Sequence, residues 1–334
     1  MKRHYITYVI LTAWLLGSAQ LWTSCSAVDD EPDSSRKAVV LTASSGDTQS
    51  VYGSMRSVDG LYESTTGFDG GEQVQLYLYN SVSPTNIVSG TYDVGTPGAV
   101  HKSVLTYSSG AELLYPLDAA NSGTPAFTVY GVYPAASTTS HTVRYSQTNT
   151  DDGNTNYKAS DLMYASTTLT WTATGSTDKE HAVHNLQFDH QLAKLKLTIV
   201  KAKEVGEVQA VRMVNTKRKV SVTPAYDGLT LGTPATATDD EYGDYILLSE
   251  GEDASDAQQT YNYCCIFVPD TWTDANFIEV QADGGTAIFK TTMTFTGGNE
   301  YQLTLSIDPT ALSLTSTIEN WSEGDALPED SLIY

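Results

Sequence analysis

Few residues of this chain could do chemistry: three cysteines, six histidines and some short acidic runs. Cys25 follows the small pair Thr23-Ser24, behind basic Lys2-Arg3-His4 and an apolar run over 5–16. That order is the order of a secretory signal, and the run is too short to cross a bilayer as a mature helix. Cleavage before the cysteine would make Cys25 a lipidated N-terminus. Trp22 stands where an aliphatic residue is usual, with Leu21 one place further out, so an ordinary signal peptide with an incidental cysteine is the alternative. Cys264 and Cys265 are adjacent. On a strand they point to opposite faces, and a bridge between them would strain the backbone. Both are expected to be packed thiols, and the chain is not a disulfide scaffold.

The histidines give no metal pattern. His181 and His184 are three apart, which in a strand sends them to opposite faces. His190 shares parity with Leu186, Phe188 and Leu192 and is expected to face the core with a hydrogen bond. Asp151-Asp152-Gly153-Asn154 lacks the alternating ligands and closing glutamate of a calcium loop, and is expected to be a turn. Asp239-Asp240-Glu241 and the acidic stretch over 250–256 are expected to be solvated loops. No G-x-S-x-G elbow, H-E-x-x-H helix or phosphate-cradling loop occurs. Glycoside hydrolysis needs only two carboxylates at the right separation, and none of the acids is singled out as such a pair. The expectation is a non-enzyme without metal or cofactor.

The elements that carry these residues are short alternating runs broken by Gly, Asn, Asp and Pro, the pattern of an all-β chain. Val74, Leu76 and Leu78 alternate with Gln75, Tyr77 and Tyr79. The runs 277–282 and 286–292 flank Asp283-Gly284-Gly285 as a hairpin would, and Tyr301, Leu303, Leu305 and Ile307 share one face. Leu186, Phe188 and His190 have one parity, and Leu195, Leu197 and Ile199 have the other. One continuous strand cannot bury both sets on one side, so a bulge or short helical turn is expected near Ala193-Lys194. About 300 mature residues is long for a single core. Two β-domains are expected, 38–180 and 181–334, after a signal peptide over 1–24 and an acidic tether over 25–37. The formal net charge is −22. Loss of 1–24 removes Lys2 and Arg3 and no acid, so the mature chain is more negative still and repels phosphate backbones. Nucleic acid is not an expected partner.

Several segments in order carry a family resemblance. They are Phe68-Asp69-Gly70-Gly71-Glu72-Gln73-Val74, Val129-Tyr130-Gly131-Val132-Tyr133-Pro134, the run 143–147, and Ser160-Asp161-Leu162-Met163-Tyr164-Ala165. Leu186-Gln187-Phe188-Asp189-His190-Gln191-Leu192-Ala193-Lys194-Leu195 and Ile318-Glu319-Asn320-Trp321 complete the series. Together they resemble the fimbrillin family of Bacteroidales, the subunits of protease-assembled pili. The resemblance covers most of the mature chain. It implies two tandem β-sandwich domains of transthyretin-like, Greek-key type. It also implies that a lipidated precursor reaches the outer-membrane surface, that a trypsin-like or arginine-specific protease removes its first strand, and that another subunit donates a strand to the opened groove.

The resemblance assigns parts to residues. The run 38–45 is the removable strand, with Val39, Leu41 and Ala43 on one face. Arg56 precedes the next element, and the resemblance makes the bond between Arg56 and Ser57 the first choice for the processing cut; a cut at Arg36 or Lys37, which would leave the strand in place, and no functional cut, with Arg56 an ordinary loop arginine, are the alternatives. The run 311–318 is a donor segment or the last core strand. The implied partners are other pilus subunits joined head-to-tail, the processing protease, the outer membrane through the lipid, and a host or glycan ligand met by Tyr-rich surfaces. A surface lipoprotein that binds glycan without polymerising is the competing expectation.

Overall fold

The computed structural model describes residues 38–45, 68, 70–81, 83–96, 102–114, 126–147, 150–151, 154–170, 184–202, 204–232, 242–254, 258–283, 285–308 and 311–320. The segment Ala38–Tyr334 forms one compact unit. Its first strands in chain order are β1 (Leu41–Ser45), β2 (Gln73–Asn80), β3 (Val88–Val94), β4 (Ser103–Gly110) and β5 (Ala126–Tyr133). There follow β6 (Ser140–Thr142), β7 (Thr150–Asp151), β8 (Asn154–Thr155), the single turn of helix α1 (Asn156–Ala159), β9 (Met163–Thr170) and β10 (His184–His190). The remainder comprises β11 (Ala193–Ala202), β12 (Val208–Lys217), β13 (Lys219–Ala225), β14 (Gly228–Gly232), β15 (Tyr242–Ile246) and β16 (Leu248–Ala254). The last are β17 (Gln258–Phe267), β18 (Thr271–Ala282), β19 (Gly285–Thr294), β20 (Asn299–Asp308) and β21 (Ala311–Asn320). The fold is all-β.

One sheet closes on itself in the order β1-β10-β9-β5-β2-β3-β4. Every pairing within it is antiparallel except β1 with β10. The other main sheets run β16-β17-β11-β20-β21 and β15-β12-β18-β19, and β14-β13-β6 joins a hairpin to a strand from the first half of the chain. Closure distinguishes the first sheet from an open two-sheet sandwich, and its cause is β1, which contacts β10 on one side and β4 on the other.

Alternation builds two buried clusters. Val74, Leu76 and Leu78 point into the first, together with Phe127, Val129, Leu186 and Phe188. Leu195, Leu197, Ile199, Tyr301, Leu303, Leu305 and Ile307 point into the second. In β17 Cys264 and Cys265 are both buried and not bridged by a disulfide, on opposite faces of the strand. The β18–β19 hairpin pairs Ala282 with Gly285, and β7–β8 pairs Asp151 with Asn154, the two ends of the acidic tetrad.

The phase change has a different origin from the expected bulge. No bulge lies at Ala193-Lys194: β11 is in regular register with β17 and β20 from its first residues. The break falls at Gln191-Leu192, between β10 and β11. Leu186 and Phe188 fill the first cluster, whereas Leu192 and Leu195 fill the second. The parity reverses because the chain leaves one core for the other.

Candidate functional site

The first sheet is joined by short ladders of two residue pairs at two places, β1–β4 and β9–β10, and β1 and β10 lie side by side in the seam between them. β1 pairs with β10 through five residue partners, from Leu41↔His184 to Ser45↔Phe188. Its ladder to β4 has only Thr42↔Val104 and Ala43↔Ser103. Just before β1, the Val39 N–H donates to Leu113 O at 2.9 Å, and the His184 N–H donates to Val40 O at 3.0 Å. Val39, Leu41 and Ala43 are 5%, 1% and 0% exposed. They lie in the cluster with Leu105, Leu113, Leu186 and Phe188. Val40 and Val104, on the other face, are 37% and 58% exposed.

The outward face of β1 is polar and specific. Thr42 Oγ1 donates to Asn185 Oδ1 at 3.1 Å, and Asn185 Nδ2 donates to Ser44 Oγ at 3.0 Å. Ser103, opposite Ala43, is buried. Sequence reasoning passed over Asn185 and Ser103. The available signal was an asparagine, a poor strand former, inside an otherwise alternating strand.

Chemically, the seam can hold a strand. It offers backbone donors and acceptors on β10 and β4 and an apolar trough between them. Cys25, Arg36, Lys37, Arg56 and Ser57 lie outside the described residues, as do His181 and residues 322–334. The segment 311–318 is part of β21, which pairs with β20 over its whole length, from Ala311↔Asp308 to Asn320↔Asn299. It stands at the edge of its own sheet, as a last strand does.

The titratable groups elsewhere do structural work. His190 Nδ1 is 2.8 Å from Asp161 Oδ2, with side chains 9% and 11% exposed. His141 sits 2.8 Å from Ser137 Oγ through Nδ1 and 2.9 Å from Ser160 O through Nε2. A neutral ring that donates from Nε2 and accepts at Nδ1 satisfies both contacts, and burial lowers the His141 pKa. Glu300 lies 3.0 Å from Lys194 Nζ and 3.1 Å from Lys196 Nζ. Among the described residues no cluster of His, Cys, Asp or Glu is arranged to hold a metal ion.

Much of the tyrosine-rich face is internal. Tyr77 stacks on Tyr130 at 4.9 Å, and the Tyr164 hydroxyl donates to Ala225 O at 2.6 Å, so the β13–β14 hairpin is fastened to the first sheet. Tyr226, in the turn of that hairpin, stacks on Tyr79 at 4.0 Å and is 43% exposed.

The fold is similar to that of a candidate cell adhesion protein from Bacteroides uniformis, with TM-score 0.55 and 17% identity, covering 87% of this chain and 99% of that one. It is also similar to a candidate cell adhesion protein from Bacteroides ovatus, with TM-score 0.54 and 12% identity, covering 87% of this chain and 99% of that one. At these identities the likeness is one of fold. No curated protein matches the chain. The sequence profile of the fimbrillin-like family matches residues 62–321, well over half of the chain, and the chain therefore belongs to that family.

Proposed function

We propose that this protein is a structural or adhesive subunit of a cell-surface pilus, exported as an outer-membrane lipoprotein through Cys25. Its assembly proceeds by removal of β1 through a cut between Arg56 and Ser57, followed by insertion of a strand from another subunit. The observation that carries this reading is β1 itself. It closes the first sheet, buries Leu41 and Ala43 beside the preceding Val39, and has a ladder of only two pairs to β4. A sheet that loses such a strand presents unpaired backbone and an apolar trough, which a strand from another subunit satisfies. Joining of this kind is head-to-tail and gives open filaments. The same reading takes 38–180 and 181–334 as tandem transthyretin-like sandwich domains, with β10 hydrogen-bonded into the first sheet and Tyr130, Val132, Leu162 and Tyr164 of the first half contributing to the second cluster. The protein is not an enzyme in this reading.

Limited trypsin treatment of the chain from residue 26 onward tests it, with the new N-terminus and the particle size followed together. The expected result is a start at Ser57 and formation of oligomers, both abolished by Arg56→Ala. A chain that stays monomeric after a clean cut at that position rejects strand exchange. The stack of exposed Tyr226 on half-buried Tyr79 favours a second reading, a glycan-binding lipoprotein that does not polymerise. That reading requires glycan binding by the uncut chain and its loss in Tyr226→Ala.

A further inference from the structure

An apolar trough by itself is a poor selector. Any alternating strand offers it an inward face, so parity excludes half of the registers and leaves the rest. The groove holding β1 carries two features that go further. The first is Asn185. Its carbonyl oxygen accepts from the Thr42 hydroxyl and its amide donates to the Ser44 hydroxyl, at 3.1 and 3.0 Å. One side chain therefore engages two hydroxyls placed two residues apart on the neighbouring parallel strand. The second is the site of Ala43, which is 0% exposed between Ser103 on β4 and Leu186 on β10, themselves 1% and 0% exposed. A larger side chain there overpacks the trough. A two-residue slip of the inserted strand would preserve parity, yet it would leave one Asn185 bond unmade and drive Leu41 into the place of Ala43.

We infer that Asn185 and the small site beneath residue 43 select both the strand that occupies this groove and its register. The partner is an extended segment with the order apolar, any, apolar, hydroxyl, small, hydroxyl. Val39-Val40-Leu41-Thr42-Ala43-Ser44 has that order, and so does Leu312-Ser313-Leu314-Thr315-Ser316-Thr317 in β21. A second copy of the chain thus contains an eligible segment. The inference rests on the proposed displacement of β1.

The test is peptide capture. The chain from residue 26 onward is given a specific protease site between residues 46 and 67, cut there, unfolded, and refolded with excess dye-labelled peptide. The peptide of residues 38–45 is expected to compete with the released strand, and the peptide of residues 311–318 is expected to be captured as well. Replacing both Thr42 and Ser44 by Val in the first peptide is expected to weaken capture about ten-fold. Ala43→Leu in the same peptide is expected to weaken it by at least about ten-fold. In Asn185→Ala protein the Val-substituted and native peptides are expected to bind within about two-fold of each other, because the group that distinguishes them is gone. The peptide substitutions leave the protein unaltered, so the result survives even if Asn185→Ala folds poorly. Equal capture of all the peptides overturns the selection inference while leaving strand exchange intact, as does failure of 311–318 alone. Failure to capture any peptide, the native one included, overturns the strand-exchange reading instead.

Discussion

At the scale of single residues, the buried polar groups set how this protein responds to acid. His141 is enclosed by Ser137 and Ser160, and burial lowers its pKa from the ordinary 6.5. In the unfolded chain it takes up a proton near that value, so its contribution to stability is full above about pH 6.5 and declines as pH falls towards the folded pKa. For Glu300, burial raises the pKa, but the charges of Lys194 and Lys196 outweigh burial and hold it below the ordinary 4.5. Its contribution is full above about pH 4.5 and is lost as pH falls through the depressed folded value. Urea midpoints are therefore expected to fall in two stages on acidification. His141→Gln should flatten the difference between about pH 7.5 and pH 5.5, whereas Glu300→Gln should alter only the stage below about pH 4.5. A His141→Gln variant with an unchanged slope between the two upper pH values would refute the first assignment.

At the scale of elements, the decisive joint is the passage from β10 to β11. The Gln191 N–H donates to Leu162 O at 2.8 Å, and Leu192 O accepts from the Gly298 N–H at 2.8 Å. The turn that supplies Gly298 leaves no room for side chains: a Cβ on Gly297 would lie 2.2 Å from the Gln191 carbonyl oxygen. Gly298 itself has φ +74°, a conformation that favours glycine. Gly297→Ala must move backbone against backbone and is expected to cost about 1–3 kcal/mol, seen as a lower urea midpoint at constant slope. A neutral result would mean that the joint yields easily. The period-two pattern made both parities around this joint legible in sequence, and so made the phase change legible. It misplaced the cause, because a bulge within one strand and a crossing between two cores produce the same reversal of parity. His190 meets Asp161, 29 positions away, and His141 meets Ser160, 19 positions away, only through the tertiary fold.

For the molecule as a whole, the charge of −22 acts on the compact state as self-repulsion. Screening should relieve it. Raising salt from about 10 mM to about 150 mM brings the screening length down to about 8 Å. The melting temperature is expected to rise by about 1–2 °C, as a gain near 1 kcal/mol would give for a chain of this size. An unchanged melting temperature would show that the acids lie too far apart to repel. Against that background the ion pairs of Glu300 with Lys194 and Lys196 matter less for net charge than for fixing β11 beside β20.

The amino-acid sequence alone was enough for the all-β class, the inward faces of β2, β11 and β20, the packed state of Cys264 and Cys265, and the β18–β19 hairpin. Each of these follows from local rules, namely alternation, turn residues and adjacency. The partners of the strands were decided by tertiary structure. β1 lies beside β10, with Thr42 and Asn185 separated by 143 positions in the chain, and their pairing closes the first sheet. The physical reason is that backbone donors and acceptors are identical in every strand. Alternation states which face is buried, but only the three-dimensional packing states against which neighbour. For the same reason Asn185 is an unremarked polar residue in the sequence and becomes part of a recognition surface once β1 lies next to it.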